Sequence, residues 1–154
     1  NAKDVKAAVQ KAIDENADLK KQVEAAVRER VGQLKGRLIE SAKEVDGIKV
    51  IAQVLPMDVE AGAVKDLAFQ VSGQLPENTF LVLGSKHDDK PLLTVMVSKD
   101  LIASRQLHAG NLVKEAARLI QGGGGGAPHF ATAGGKNTAG LDEAVAKVLE
   151  LAGF

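Results

Sequence analysis

Five consecutive glycines, Gly122–Gly126, constrain this chain more than any other feature. Ordering them costs more chain entropy than ordering any other five residues. A folded domain keeps such a run where backbone passes too close for a Cβ, or where the segment stays mobile. The flanks favour the first reading. An amphipathic helix runs into the glycines, and a compact Ala127-Pro128-His129-Phe130-Ala131-Thr132-Ala133 segment leaves them for a second pair, Gly134-Gly135. Between Glu115 and Asp142 there is no acidic residue, whereas Arg118, His129 and Lys136 all fall there. A loop of free N–H groups edged by cations suits a phosphate or sugar-phosphate chain. The candidate contacts are Gly122, Gly123, Gly124, Gly125, Gly126, Arg118, His129 and Lys136.

Composition narrows the partners. Twenty basic residues balance twenty acidic ones, so any anion site is a local patch rather than a global field. Aromatics are 3%, with no Trp or Tyr, which argues against recognition by stacking unpaired bases. The absence of cysteine excludes disulfides and thiolate chemistry and suits a cytoplasmic protein. No apolar run reaches membrane-spanning length and no signal-peptide pattern opens the chain, so no membrane partner is expected. The chain starts at Asn1 with no capping signature before the first helical repeat. It reads as a piece of something longer.

From about Asp4 to Val45 no proline occurs, and apolar residues keep helical spacing: Val5, Val9, Ala12, Leu19, Val23, Val27, Val31, Leu34, Leu38 and Ala42. The steps beyond Val23 approach an eleven-residue repeat, which does not wind a left-handed supercoil. Gly32 and Gly36 imply close packing or a bend. Some forty helical residues extend roughly 60 Å, far beyond a globule of about 13 Å radius of gyration. Such an arm either pairs with an upstream helix or a second copy of the chain, or is a charged, solvated helix held by i,i+4 pairs such as Glu24–Arg28. The domains expected are a helical arm over 1–46 and an α/β globule over 47–154.

Within the globule, Asp46-Gly47 reads as a turn and Ile48–Leu55 as a strand stopped by Pro56. Asp58 reads as the N-cap of a helix to about Ser72, with Val64, Leu67, Ala68 and Val71 inward. Phe80–Gly84 and Leu92–Ser98 flank a hairpin turn at Lys86–Pro91. A short helix or turn follows from Lys99, then a helix from near His108 to Gln121. After the glycines come a short strand, about Phe130–Ala133, and a helix ending at Gly153. The fold class expected is α/β in the α+β sense: a mixed β-sheet with flanking helices, preceded by the long arm.

No catalytic constellation emerges. His87-Asp88-Asp89 are consecutive at a hairpin tip and cannot converge on one ion, so no metal site is expected. His108 fits a helix start. His129 fits either a phosphate contact or general acid, or a packed structural histidine. The glycines fail the dinucleotide fingerprint, since a helix precedes them and none begins within them.

The run Gly122–Asn137, together with Glu44–Val50 and His108–Glu115, resembles the C-terminal domain of bacterial alanyl-tRNA synthetases, in the DHH-associated superfamily. Gly122–Gly126, Pro128, Ala131, Ala133, Gly134 and Gly135 match that family's closing motif. Many members carry Arg-Pro-Asp-Met where this chain has Ala127-Pro128-His129-Phe130, which leaves His129 or Lys136 to supply charge at the loop mouth. The resemblance implies a non-catalytic tRNA-binding domain that grips the elbow of tRNA(Ala), so that aminoacylation and editing act on one tRNA. It implies upstream domains of the same chain as partners, and a homodimer through the N-terminal helix in some members. No cofactor is implied for this piece; the parent ligase is implied to use ATP, magnesium and zinc. Two other functions stay open: a dimerisation module, or the nucleic-acid-gripping half of a DHH-type phosphoesterase.

Overall fold

The computed structural model describes residues 2–154, with the backbone alone for Met57. The chain divides after Leu34 into two compact units, the second running Lys35–Phe154. Helix α1, Ala2–Glu40, begins in the first unit and ends in the second. Its stripe is open to solvent in the first unit, where Val5, Val9, Ile13, Leu19, Val23 and Val27 are 41–62% exposed. A Cβ added at Gly32 or Gly36 would meet nothing within 4 Å. No neighbour within this chain packs on these glycines, and the helix runs unbroken past both.

The helix stops earlier than its apolar rhythm suggests. Residues 43–45 form strand β1, Lys43–Val45, which turns at Asp46-Gly47 and pairs antiparallel with β2, Ile48–Asp58. Both turn residues have positive φ, 52° and 80°, as a tight type I′ hairpin requires. Periodicity carried the helix reading to Val45; the hairpin pairing overrides it there. Pro56 likewise does not end β2. The strand continues to Asp58 through a register shift between Val54 and Asp58. A proline is tolerated in such an irregular stretch, where no ladder bond needs its missing N–H.

Helix α2 spans Ala61–Gln74 and buries Val64, Leu67, Ala68 and Val71, the four residues read as inward. Its N-cap is Glu60, without a side-chain cap bond, and not Asp58. Strands β3, Thr79–His87, and β4, Lys90–Val97, make the expected hairpin, longer than the apolar runs alone showed. Asp88 and Asp89 take φ of 49° and 59° at its two-residue turn. Then come α3, Lys99–Ser104, and α4, Ala109–Ala116, which continues as a 3₁₀ turn over Ala117–Ile120. Strands β5, Gly123–Gly126, and β6, Phe130–Gly134, precede α5, Leu141–Ala152.

The six strands form one mixed sheet in the order β1-β2-β3-β4-β6-β5, with only β2 and β3 parallel. Strand β3 is buried from Thr79 through Ser85, because helices cover both faces. Phe80 and Val82 share a core with Leu112, Val113 and Ala116 of α4 and with Ala144 and Val148 of α5. Their neighbours Leu81 and Leu83 alternate to the other face, where α2 packs on β3 and β4. Among the described residues no helix is long and apolar enough to cross a membrane.

Candidate nucleic-acid interface

The glycine run is not a loop. Gly123–Gly126 is an edge strand, paired antiparallel with β6 so that Gly123 faces Gly134 and Gly126 faces Ala131. Its glycines follow a strict steric alternation. A Cβ at Gly124 would lie 2.2 Å from the Thr132 carbonyl oxygen and 2.5 Å from the Ala133 Cα. At Gly122 it would lie 1.9 Å from the Gly134 oxygen, and at Gly126 2.6 Å from the Phe130 oxygen. Gly123 and Gly125 face open space. Three of the five glycines are thus required because β6 approaches where a side chain would stand. Helix α4 crowds the same strand, since a Cβ at Gly110 would sit 2.7 Å from the Gly126 oxygen.

This geometry halves the supply of free amides expected of a loop. Bonded pairs alternate along an antiparallel ladder. The Ala127 N–H donates to the Phe130 carbonyl at 2.9 Å, so by that alternation Gly125 and Gly123 bond to β6. Gly124 and Gly126 then direct their amides away from it. The Gly122 N–H is spent on the Ala117 carbonyl at 3.0 Å. What remains is an exposed strip of backbone with alternate amides unpaired by β6.

The cations are distributed along that strip rather than gathered round one mouth. Lys136 is exposed at the Gly122 end, its backbone N–H fixed to the Ile120 carbonyl at 2.9 Å. It borders an open cleft of about 470 Å³ with Gly122, Gly134, Gly135, Lys90 and His87. His129 lies at the opposite end, in the turn between β5 and β6, and its carbonyl accepts from the Val97 N–H at 2.9 Å. The five residues of β6, about 17 Å of strand, and Gly135 separate the two. His129 is exposed and borders a second groove. Arg118 projects from the 3₁₀ turn, 77% exposed, with Glu115 at 3.9 Å. His108 caps α4: its Nδ1 accepts from the Asn111 N–H at 3.2 Å.

His87, on the wall of the first cleft, belongs to a group that the linear sequence conceals. Asp58, at the end of β2, hydrogen-bonds His87 Nδ1 through Oδ1 at 2.5 Å and accepts from the Asp88 N–H at 3.3 Å. Glu60 and Asp88 stand 3.9 and 3.4 Å from His87 Nε2. Parallel pairing of β2 with β3 brings residues about thirty positions apart to one end of the sheet, a juxtaposition without any local signal. Among the described residues no three such side chains are gathered as metal ligands. The hydrogen bond to Asp58 raises the His87 pKa above its ordinary 6.5, with a smaller opposing desolvation; the charges of Asp88, Asp58 and Glu60 reinforce the rise. A raised folded-state value means the contact contributes fully below pH 6.5 and is lost as pH climbs through that value. In a proton NMR titration, the His87 midpoint should lie above 6.5 and fall toward it in Asp58→Asn. Identical midpoints in the two proteins would remove this account.

Comparison with known proteins follows the same contour. Over all 154 residues the chain is 58% identical to an alanine–tRNA ligase of Bacteroides fragilis strain YCH46, and equally to one of Bacteroides thetaiotaomicron. It spans 17% of the length of these relatives. Among solved structures, the C-Ala domain of Aquifex aeolicus alanyl-tRNA synthetase is similar in fold, with a TM-score of 0.63 and 24% identity over 74% of this chain and 99% of that one. A DHH-domain protein described as belonging to a family of ribosomal proteins shares the fold more distantly, with a TM-score of 0.53 and 14% identity over 85% of this chain and 32% of that one. The model of the DHHA1 domain matches residues 47–153, the stretch that holds both grooves and the glycine strand. This chain belongs to the DHHA1 domain family.

Proposed function

We propose that this chain is the non-catalytic, tRNA-binding C-terminal domain of an alanine–tRNA ligase. The observation that carries the reading is its 58% identity over the whole chain to such ligases, joined to an exposed glycine strand with cations at each end. In this reading the domain grips the elbow of tRNA(Ala), so that aminoacylation and editing centres in upstream domains act on the same molecule. Adenylate formation from ATP, and any magnesium or zinc, belong to those upstream domains. The side-chain-free strip lets a ribose-phosphate backbone approach the amides of Gly124 and Gly126, while Lys136, Arg118 and His129 neutralise phosphates along its path.

Such recognition depends on shape and charge, so binding releases counterions and weakens steeply with salt. In filter-binding titrations, affinity for a tRNA(Ala) transcript should fall linearly with salt on logarithmic axes. Lys136→Ala and Arg118→Ala should each reduce that slope by about one and weaken an unrelated tRNA to the same degree. A flat salt profile, or unaltered slopes in both variants, contradicts the proposal.

A second reading rests on a separate observation, the exposed apolar stripe of α1. A helix face bearing large aliphatic side chains from Val5 to Val27 is suited to pairing with another helix, either an upstream one or that of a second copy. Sedimentation equilibrium distinguishes the two: a monomer at high concentration excludes pairing between copies through this chain. Pairing and RNA binding are compatible.

A further inference from the structure

We infer that the groove beside Phe69 is a stacking site for an unpaired nucleobase, with Lys99 and His129 positioned for its phosphate; this rests on the RNA-binding reading above. The sequence has only four phenylalanines and neither tryptophan nor tyrosine, which argues against base stacking. The fold spends two of them, Phe80 and Phe154, on each other, with Phe80 wholly buried. The other two meet at the surface. Phe69, on α2, lies against Phe130, at the start of β6, with ring centres 5.1 Å apart and planes 31° from parallel. Phe69 nevertheless remains 44% exposed. A large ring held by a second ring and still open to water is a rigid platform, already oriented before any ligand arrives.

The surroundings suit a base with its phosphate better than an apolar peptide side chain. The groove measures about 530 Å³, within the range of small-ligand sites. Met96 and Val97 contribute apolar surface, Ser72 contributes a hydroxyl, and Lys99 and His129 contribute the charge, while the Ser98 hydroxyl is taken by the Thr79 N–H and Asp100; among the described residues no carboxylate lines it. Asp100, next to Lys99, does not line it: its Oδ2 accepts from the Asn78 N–H at 2.9 Å, and its carboxylate is also hydrogen-bonded by the Ser98 hydroxyl. Lys65 stands 6.0 Å from the centre of the Phe69 ring, at the outer limit of a cation–π contact. An exposed lysine at that range yields easily to a base and can follow its phosphate. His129 joins this groove to the glycine strand, because Ala127-Pro128-His129 is the turn between β5 and β6. A backbone lying along Gly124 and Gly126 therefore reaches Phe69 without leaving the surface.

The chain lacks tryptophan, so Phe69→Trp introduces a single indole reporter at the platform. With a tRNA(Ala) transcript as probe, Phe69→Trp should keep parental affinity and its emission should be quenched on binding. Phe69→Leu, which keeps apolar contact with Phe130 but offers no ring, should bind about ten-fold more weakly with the salt slope unchanged. Parental affinity in Phe69→Leu, or unquenched indole emission while tRNA is bound, overturns the base site and leaves the RNA-binding reading intact. A groove that serves a protein partner gives that result. Failure of the parental chain to bind tRNA at any salt overturns both.

Discussion

Gly124→Ala should destabilise the folded chain by about 3 kcal/mol or more, while Gly125→Ala, one residue away, leaves it at least as stable as the parent. The added methyl at Gly124 meets backbone, 2.2 Å from the Thr132 oxygen and 2.5 Å from the Ala133 Cα. No rotamer change relieves a clash with main chain, so β5 separates from β6 locally. Overpacking costs typically about 1–3 kcal/mol, and each ladder bond lost adds about 1. At Gly125 the methyl enters open space and reduces the freedom of the unfolded chain, worth up to about 1 kcal/mol in the opposite direction. Thermal unfolding should show Gly124→Ala melting about 10 °C lower and Gly125→Ala at or above the parental midpoint. Equal melting of the two variants would show that the alternation along the strand has no energetic meaning.

Phe80→Ala should cost about 3–5 kcal/mol, the range for removing a buried aromatic ring. Phe80 is inaccessible to solvent, lies on β3 opposite Val50 of β2 and Val97 of β4, and packs on Phe154 at 5.1 Å. The truncation leaves a cavity between sheet and helices and removes the support beneath Phe154. That residue follows the left-handed Gly153 and lies under the Arg105 guanidinium at 5.3 Å. Urea unfolding followed by circular dichroism should show a lower midpoint with an unchanged slope. Phe69→Leu, at an exposed ring, should shift the same midpoint little. A Phe80→Ala protein as stable as the parent would displace Phe80 from the centre of this core.

Much of the fold was legible because local physics and tertiary packing agree. The inward stripe of α2, the β3–β4 hairpin and the His108 start of α4 each carry a short-range signal, either period or turn chemistry, that nothing distant contradicts. The misreadings occur where distant partners prevail. Residues 43–45 have helical spacing but pair with β2, and Pro56 interrupts no strand because the ladder is already irregular there. Asp58 resembles a cap, yet its carboxylate is taken by His87 from a strand that lies far away in sequence.

The sequence by itself favoured reading the glycine run as a place with no room for a Cβ, and determined that amphipathic helices and a hairpin build a mixed sheet with its cover. These follow from composition, spacing and chain entropy, which act over a few residues. Only the tertiary structure decided that the glycines form an edge strand, that Lys136 and His129 stand at its opposite ends, and that Phe69 and Phe130 share a surface. Strand order and register set those distances, and they arise from contacts between segments that bear no mark of one another.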